Sequence, residues 1–244
     1  MTDRTYLFNG AQLTFAKLIR ATPDKEFASP TRSTLPLLAW WQGHSLPDEI
    51  LTDDNYAIEV EAQVASTTTI NAAGRPHQNR ASCTDIMVRA TSTAGAVEGK
   101  WTEPSYPTVN KWLGRNPSDN KLSVLEHWLK IIEPFSDGLD RDLVGGCTYQ
   151  MVHRLASACT QGRDDVVMVY QLFGTTHRDR YIAELSRLRA ALRPGPRLRL
   201  VLMVVPTETT PAWDRLRRGE PQQVRTAMLT DELFEFSEVE VVEV

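Results

Sequence analysis

Two near-continuous apolar runs constrain this chain most: DVVMVYQLF at 165–173, and RLRLVLMVV at 197–205. A strand with one face in water alternates apolar and polar residues. A run without that alternation is a strand covered on both faces. Between the two runs, RDRYIAELSRLRAAL (178–192) has the spacing of a basic amphipathic helix. Strands of this kind need helices packed against a sheet, so the runs point to a layered α/β protein rather than a sandwich or a bundle.

The rest of the chain fits such a sheet. NYAIEVEAQV (55–64) alternates, with Ile58, Val60, Ala62 and Val64 on one face and Glu59, Glu61 and Gln63 on the other. DIMVRAT (85–91) and AVEGKW (96–101) read as two short strands joined by STAG. STLPLLAWWQG (33–43) reads as a helix capped by Ser33 and stopped by Gly43, with Pro36 harmless in its first turn. A proline-marked loop leads into a short helix capped by Thr108. NKLSVLEHWLKIIEP is a second helix, ended at Pro134. DGLDRDLVGG (137–146) reads as a turn-rich connector. CTYQMVHRLASACTQG (147–162) has helical spacing, with Met151, Leu155 and Ala158 on one face. The order is helix, three strands, helices, strand, helix, strand: an α/β mixed sheet flanked by helices.

At 244 residues the chain can bury one sizeable core. The opening MTDRTYLFNG has no signal-peptide pattern, and LVLMVV (200–205) is too short to span a bilayer. The expected location is cytoplasmic, without a membrane partner. Three cysteines without a C-x-x-C pair imply buried reduced thiols rather than disulfides or a zinc site. His44, His77, His127 and His177 lack metal-ligand spacing, and the tryptophans fall among apolar residues, as core does. No phosphate loop of the G-x-x-x-x-G-K-[ST] type and no G-x-S-x-G elbow is present. A net charge of −4 argues against a surface that binds polyanions everywhere. Charge is nevertheless segregated: 178–218 holds ten arginines against four acids, and 220–244 holds seven acids against Arg225. One segment suits phosphates, while the tail SEVEVVEV alternates like a strand and suits pairing with a partner's sheet edge.

The chemistry lies in CTDIMVRATSTAGAVEGKW (83–101). Residues two apart on a strand share a face, which puts Glu98 and Lys100 together and Val97, Gly99 and Trp101 opposite. Asp85 opens the preceding strand and comes near Glu98 if the two strands pair as a hairpin. Two close carboxylates repel, and burial makes that worse. A hard divalent cation resolves both problems, and the lysine adds a cation able to hold or polarise a water molecule. Glu61, on an earlier strand, is a further candidate acid.

This Asp85…Glu98-Gly99-Lys100 arrangement resembles the PD-(D/E)XK nuclease superfamily, the restriction-endonuclease-like fold. The element order between 33 and 172 is similar to that fold's αβββαβ core. Gln150 in YQMVHRLASA occupies the place of a glutamine that many members carry. SCTD, EGKWTEP and YQ-x-x-HR are similar to the pattern of a bacterial branch of the superfamily. Thr84 stands where the motif's proline would be, and Gly99 is uncommon between the glutamate and the lysine. The resemblance implies an Mg²⁺-dependent endonuclease hydrolysing phosphodiester bonds, with DNA the expected substrate, Mn²⁺ able to substitute, and a role in defence against foreign DNA. In that reading Asp85 and Glu98 hold the metal and Glu61 completes its shell. Lys100 orients the attacking water, and Gln150 bonds the water or the lysine.

Nucleic-acid contacts are expected from Arg75, Asn79 and Arg80 in the polar 65–82 segment, from Arg154, and from the basic 178–193 helix. His153 shares the helix of Gln150 and is a candidate to face the site. Residues 1–205 would form the nuclease domain and 206–244 a C-terminal extension with an acidic tail. Homodimers or a larger complex are the expected protein partners. The rival reading is a non-catalytic member of the same fold, a nucleic-acid-binding or assembly subunit.

Overall fold

The computed structural model describes residues 4–29, 31–53, 55–65, 81–216 and 219–244. The chain opens with strands β1 (Thr5–Phe8) and β2 (Ala11–Thr14), then helices α1 (Phe15–Ala21), α2 (Asp24–Phe27) and α3 (Thr34–Gly43). Strands β3 (Ala57–Val64), β4 (Ser82–Arg89) and β5 (Thr93–Lys100) follow. Next come helices α4 (Val109–Leu113), α5 (Asp119–Ile132), α6 (Arg141–Val144) and α7 (Tyr149–Cys159). Strand β6 (Asp165–Phe173), helix α8 (Arg178–Leu192) and strand β7 (Leu198–Val205) complete the central part. The C-terminal part holds β8 (Thr207–Thr209), α9 (Pro211–Leu216), α10 (Pro221–Thr230), β9 (Phe234–Phe236) and β10 (Glu240–Glu243).

Eight strands form one mixed sheet in the order β10-β7-β6-β5-β4-β3-β1-β2, and β8 pairs with β9 separately. β5, β6 and β7 run parallel, as their continuous apolar sequences require, while β3, β4 and β5 form an antiparallel meander. The two faces bury two separate cores. Trp40, Trp41, Ile19, Val224, Val97, Val169 and Val201 pack on one side, with α1, α3 and α10. Trp128, Leu155, Leu185, Met87, Met168 and Leu202 pack on the other, with α5, α7 and α8. Each large side chain so buried contributes about 2 kcal/mol, which makes both layers indispensable.

Several local features differ from the sequence reading. The side chain of Ser33 does not cap α3; its N–H and hydroxyl both donate to Glu103 Oε1, at 2.5 and 2.6 Å. The 137–146 connector contains α6, capped by Asp140, whose Oδ1 accepts from the N–H groups of Asp142 and Leu143. Thr108 and the Pro134 stop behave as expected.

The acidic tail forms an edge strand of the protein's own sheet. β10 pairs antiparallel with β7 of its own sheet. Its acids meet the basic segment directly: Glu240 binds Arg178, and Glu243 Oε2 accepts from Arg199 Nη2 at 2.6 Å.

β3 departs most from its sequence pattern. Ile58 and Val60 lie in the core beside α3, but Ala62 lies in the opposite core and Val64 packs against that same side. Glu61 between them has φ 54°, a left-handed conformation that an L-residue adopts only under constraint. One residue in this conformation turns the strand over, so regular alternation in sequence becomes an exchange of faces in space. β4 makes the same exchange. Ile86 faces the α3 core, whereas Ser82, of the same parity, bonds residues of α7.

Candidate functional site

The two exchanges fall on one row of the sheet. Val60–Ile86 and Ala62–Thr84 are paired on either side of Glu61 and Asp85, which face each other across the break. The β4–β5 ladder ends at Ile86–Val97, so the next step sets Asp85 opposite Glu98. Glu61, Asp85 and Glu98 therefore occupy one row on three adjacent strands. Instead of continuing the ladder, Asp85 Oδ2 accepts a hydrogen bond from the Gly99 N–H at 2.9 Å.

Glu98 is the hub. It is 3 % exposed, on the face that α7 covers. Its Oε1 accepts from Lys100 Nζ at 2.8 Å and from Gln150 Nε2 at 2.5 Å, and its Oε2 accepts from Arg154 Nε at 2.5 Å. Lys100 reaches it by strand parity. Gln150 and Arg154 reach it because residues four apart share one helix face. Tyr170, opposite Glu98 on β6, extends its hydroxyl toward Gln150 Oε1 at 3.5 Å.

Burial by itself would raise the Glu98 carboxyl, but the charges of Arg154 and Lys100 outweigh it and hold the pKa below the ordinary range. Asp85 lies near the same two cations, but their effect on it is outweighed. Burial and then the negative charge of Glu98 drive its pKa well above the usual value. Glu61 is also raised, chiefly by burial, although its Oε2 accepts a 2.8 Å hydrogen bond from the Cys83 thiol. Burial would strip the proton from Lys100, yet Glu98 and Asp85 together hold its pKa above the ordinary value. Lys100 is therefore a fixed cation, suited to orienting a ligand or stabilising negative charge rather than to taking up a proton.

Asp85, Glu98, Lys100 and Gln150 are thus brought to one place, with Glu61 beside them in the row. Arg154, expected at a phosphate, is instead buried inside this network. Its Nη1 also donates to Ser82 Oγ at 3.0 Å. Its spacing of four from Gln150 was the sequence signal for that place. His153 faces Ser82, with Nδ1 and Oγ 2.8 Å apart, and does not bond Glu98. Burial and then Arg154 push its pKa down to about 3, so it is neutral. Arg75, Asn79 and Arg80 lie outside the described residues. In the basic 178–193 helix, Arg178 is paired with Glu240 and Asp179.

Gly99 has a defined task. A Cβ there would meet Leu37 Cδ1 and Ser33 Cβ at 3.3 Å, so the glycine seats α3 against β5 on the face opposite Glu98. Trp40, Trp41 and Trp128 are core as expected, while Trp112 is partly buried and stacks on Tyr149 with ring centroids 3.8 Å apart. The three cysteines are free thiols.

The donor set suits a hard divalent cation in its chemistry. Three carboxylates share a row, and burial raises the pKa values of Asp85 and Glu61 despite the positive charges beside them. Glu98 already has its charge matched by Lys100 and Arg154. Among the described residues no three His, Cys, Asp or Glu side chains converge closely enough to hold a metal ion.

An α/β protein with a mixed eight-stranded sheet and a buried carboxylate–lysine network on its central meander is the class that fold and site define. Residues 13–205 match the model of a family described as a domain of unknown function (DUF6946), and the chain belongs to that family. No curated protein and no solved structure matches it. No helix among the described residues is long and apolar enough to cross a membrane.

Proposed function

We propose that this protein is a metal-dependent nuclease of the restriction-endonuclease-like type, hydrolysing phosphodiester bonds in DNA. The observation that carries the reading is the meeting of Asp85, Glu98, Lys100 and Gln150 beside one row of a βββ meander. A helix precedes that meander, and α7 and β6 follow it. Mg²⁺ or Mn²⁺ would be held by Asp85 and Glu98 with Glu61 once these carboxylates draw closer than they stand here, and would supply Lewis acidity and a more acidic water. Glu98 fixes the Lys100 ammonium through a 2.8 Å bond. Lys100, permanently charged, orients the attacking water and stabilises charge developing on the phosphate. Arg154 and Lys100 hold Glu98 ionised, and Gln150 helps fix its place. Residues 1–205 would form the catalytic unit and 206–244 an extension completing the sheet edge. A cytoplasmic setting, action against foreign DNA, and a homodimer or larger assembly belong to the same reading.

A cleavage assay with Mg²⁺ or Mn²⁺ on duplex and single-stranded DNA and on RNA tests it. Lys100→Ala and Asp85→Ala are expected to lose activity by about 100-fold or more. Equal cutting by wild type and variants sinks the catalytic claim. The second reading, a non-catalytic nucleic-acid-binding or assembly subunit, is favoured by one observation: both Glu98 oxygens are already engaged by cations and an amide. Isothermal titration with Mn²⁺ separates the two. A site that Glu98→Ala abolishes supports catalysis, and the absence of any site supports the subunit.

A further inference from the structure

Beside Lys100 stand buried donors that make no hydrogen bond among the described residues. Tyr181 is 2 % exposed, yet its hydroxyl makes no hydrogen bond. Nε and Nη2 of Arg180 are also buried and make no hydrogen bond, although Nε forms an ion pair with Glu184 at 3.8 Å, and the guanidinium lies over the Tyr181 ring, 4.7 Å from its centroid. Lys100 Nζ donates to Glu98, which leaves further N–H groups of the ammonium to direct elsewhere. Native chains keep few buried donors unpaired, because each forfeits its bond to water.

These groups gather where ligands bind in α/β proteins. Lys100 ends β5, and β6 runs parallel beside it and leads into α8, whose first turn carries Arg180 and Tyr181. The place lies at the C-terminal ends of parallel strands and at the positive end of a 15-residue helix. Burial raises the pKa of the Tyr181 hydroxyl; the charges of Lys100 and Arg180 and the approach of the Arg180 side chain to the hydroxyl oppose that rise, and Glu184 adds to it. The acids nearby are already engaged, Glu184 in part by Arg180 itself. Glu98 is bound as described, and Glu184, 3.8 Å from Arg180 Nε, accepts from Thr148 Oγ1 at 2.9 Å and from Ser105 Oγ at 3.0 Å.

We propose that Lys100, Tyr181 and Arg180 form an oxyanion site that takes a phosphate group at the start of α8. Tyr181 and Arg180 donate to its non-bridging oxygens and Lys100 balances its charge. The site rests on the nuclease reading only for the identity of that phosphate, which would be the substrate's phosphodiester.

Isothermal titration of inorganic phosphate into the full chain tests the site. Wild type should bind one phosphate, with affinity falling about tenfold in Arg180→Gln and roughly three- to tenfold in Tyr181→Phe. Tyr181→Phe should unfold in urea at the same concentration as wild type or higher, because an unbonded hydroxyl does not support the fold. A stability loss in that variant overturns the proposal, as does the absence of phosphate binding or equal binding by wild type and variants. A dinucleotide with a single phosphodiester should compete with phosphate. Phosphate binding without that competition assigns the site to free phosphate and overturns the link to substrate. Asp85→Asn should lose cleavage but keep phosphate binding. A wild type that binds phosphate and cuts no nucleic acid leaves the anion site standing and removes the nuclease reading.

Discussion

Two groups of ion pairs sit on this sheet. At its centre Glu98 is enclosed by Lys100, Arg154 and Gln150, and at its edge Glu240 and Glu243 on β10 meet Arg178 and Arg199. In sequence the edge looks the more conspicuous, an arginine-rich segment followed by an acidic tail. In the structure it is the less consequential, since exposed pairs are screened and typically stabilise by less than about 1 kcal/mol. The centre is inconspicuous in sequence and costly to disturb, because each charge there has lost its water and depends on its partners. Charge density along a chain locates solvated faces, whereas isolated charges in strand-like sequence locate sites.

The sharpest way to break this contrast is Glu98→Gln. It removes the counter-charge bonded to buried Lys100 and Arg154 and should cost about 3–5 kcal/mol in urea unfolding. A loss under 1 kcal/mol would place the centre in the same class as the edge. Asp85→Asn should act in the opposite direction. A carboxyl whose folded pKa is raised binds its proton more tightly in the native state. Wild type therefore loses stability as pH climbs from the ordinary value of 3.8 toward the raised one. The variant escapes that loss, and its Tm at pH 7 should exceed wild type by on the order of 2 °C. A lower Tm would show that Asp85 stabilises the fold through its bond to Gly99. The smallest effect is expected at the edge, where Glu243→Gln should change stability by about 0–1 kcal/mol and less still in 1 M salt. A salt-independent loss would make the edge resemble the centre.

Much of the architecture was legible because it rests on period. The continuous runs at β6 and β7 and the spacing of α5, α7 and α8 follow from burial alone. Lys100 and Glu98 were legible by parity, and Gln150 by its place in the helix. Arg154 was misplaced because arginine invites a phosphate, although its spacing from Gln150 already set it on the same face. The β1–β2 hairpin carries a sequence signal of its own. Asn9-Gly10, with φ 49° and 77°, is the turn that joins twisted strands most easily. β8, β9 and α9 are too short to show a period. The exchange of faces at Glu61 is hidden in principle, since the alternation runs through it unbroken and only a backbone angle reveals it.

That exchange amounts to a matched dislocation in the sheet. Two neighbouring strands slip phase at the same row, and neither can do so alone without sending its apolar residues to the wrong layer. Inserting or deleting one residue within 57–64 should therefore be harmful unless 82–89 changes in step. The defect that sets Glu61 and Asp85 side by side thus also ties the length of one strand to the length of the other.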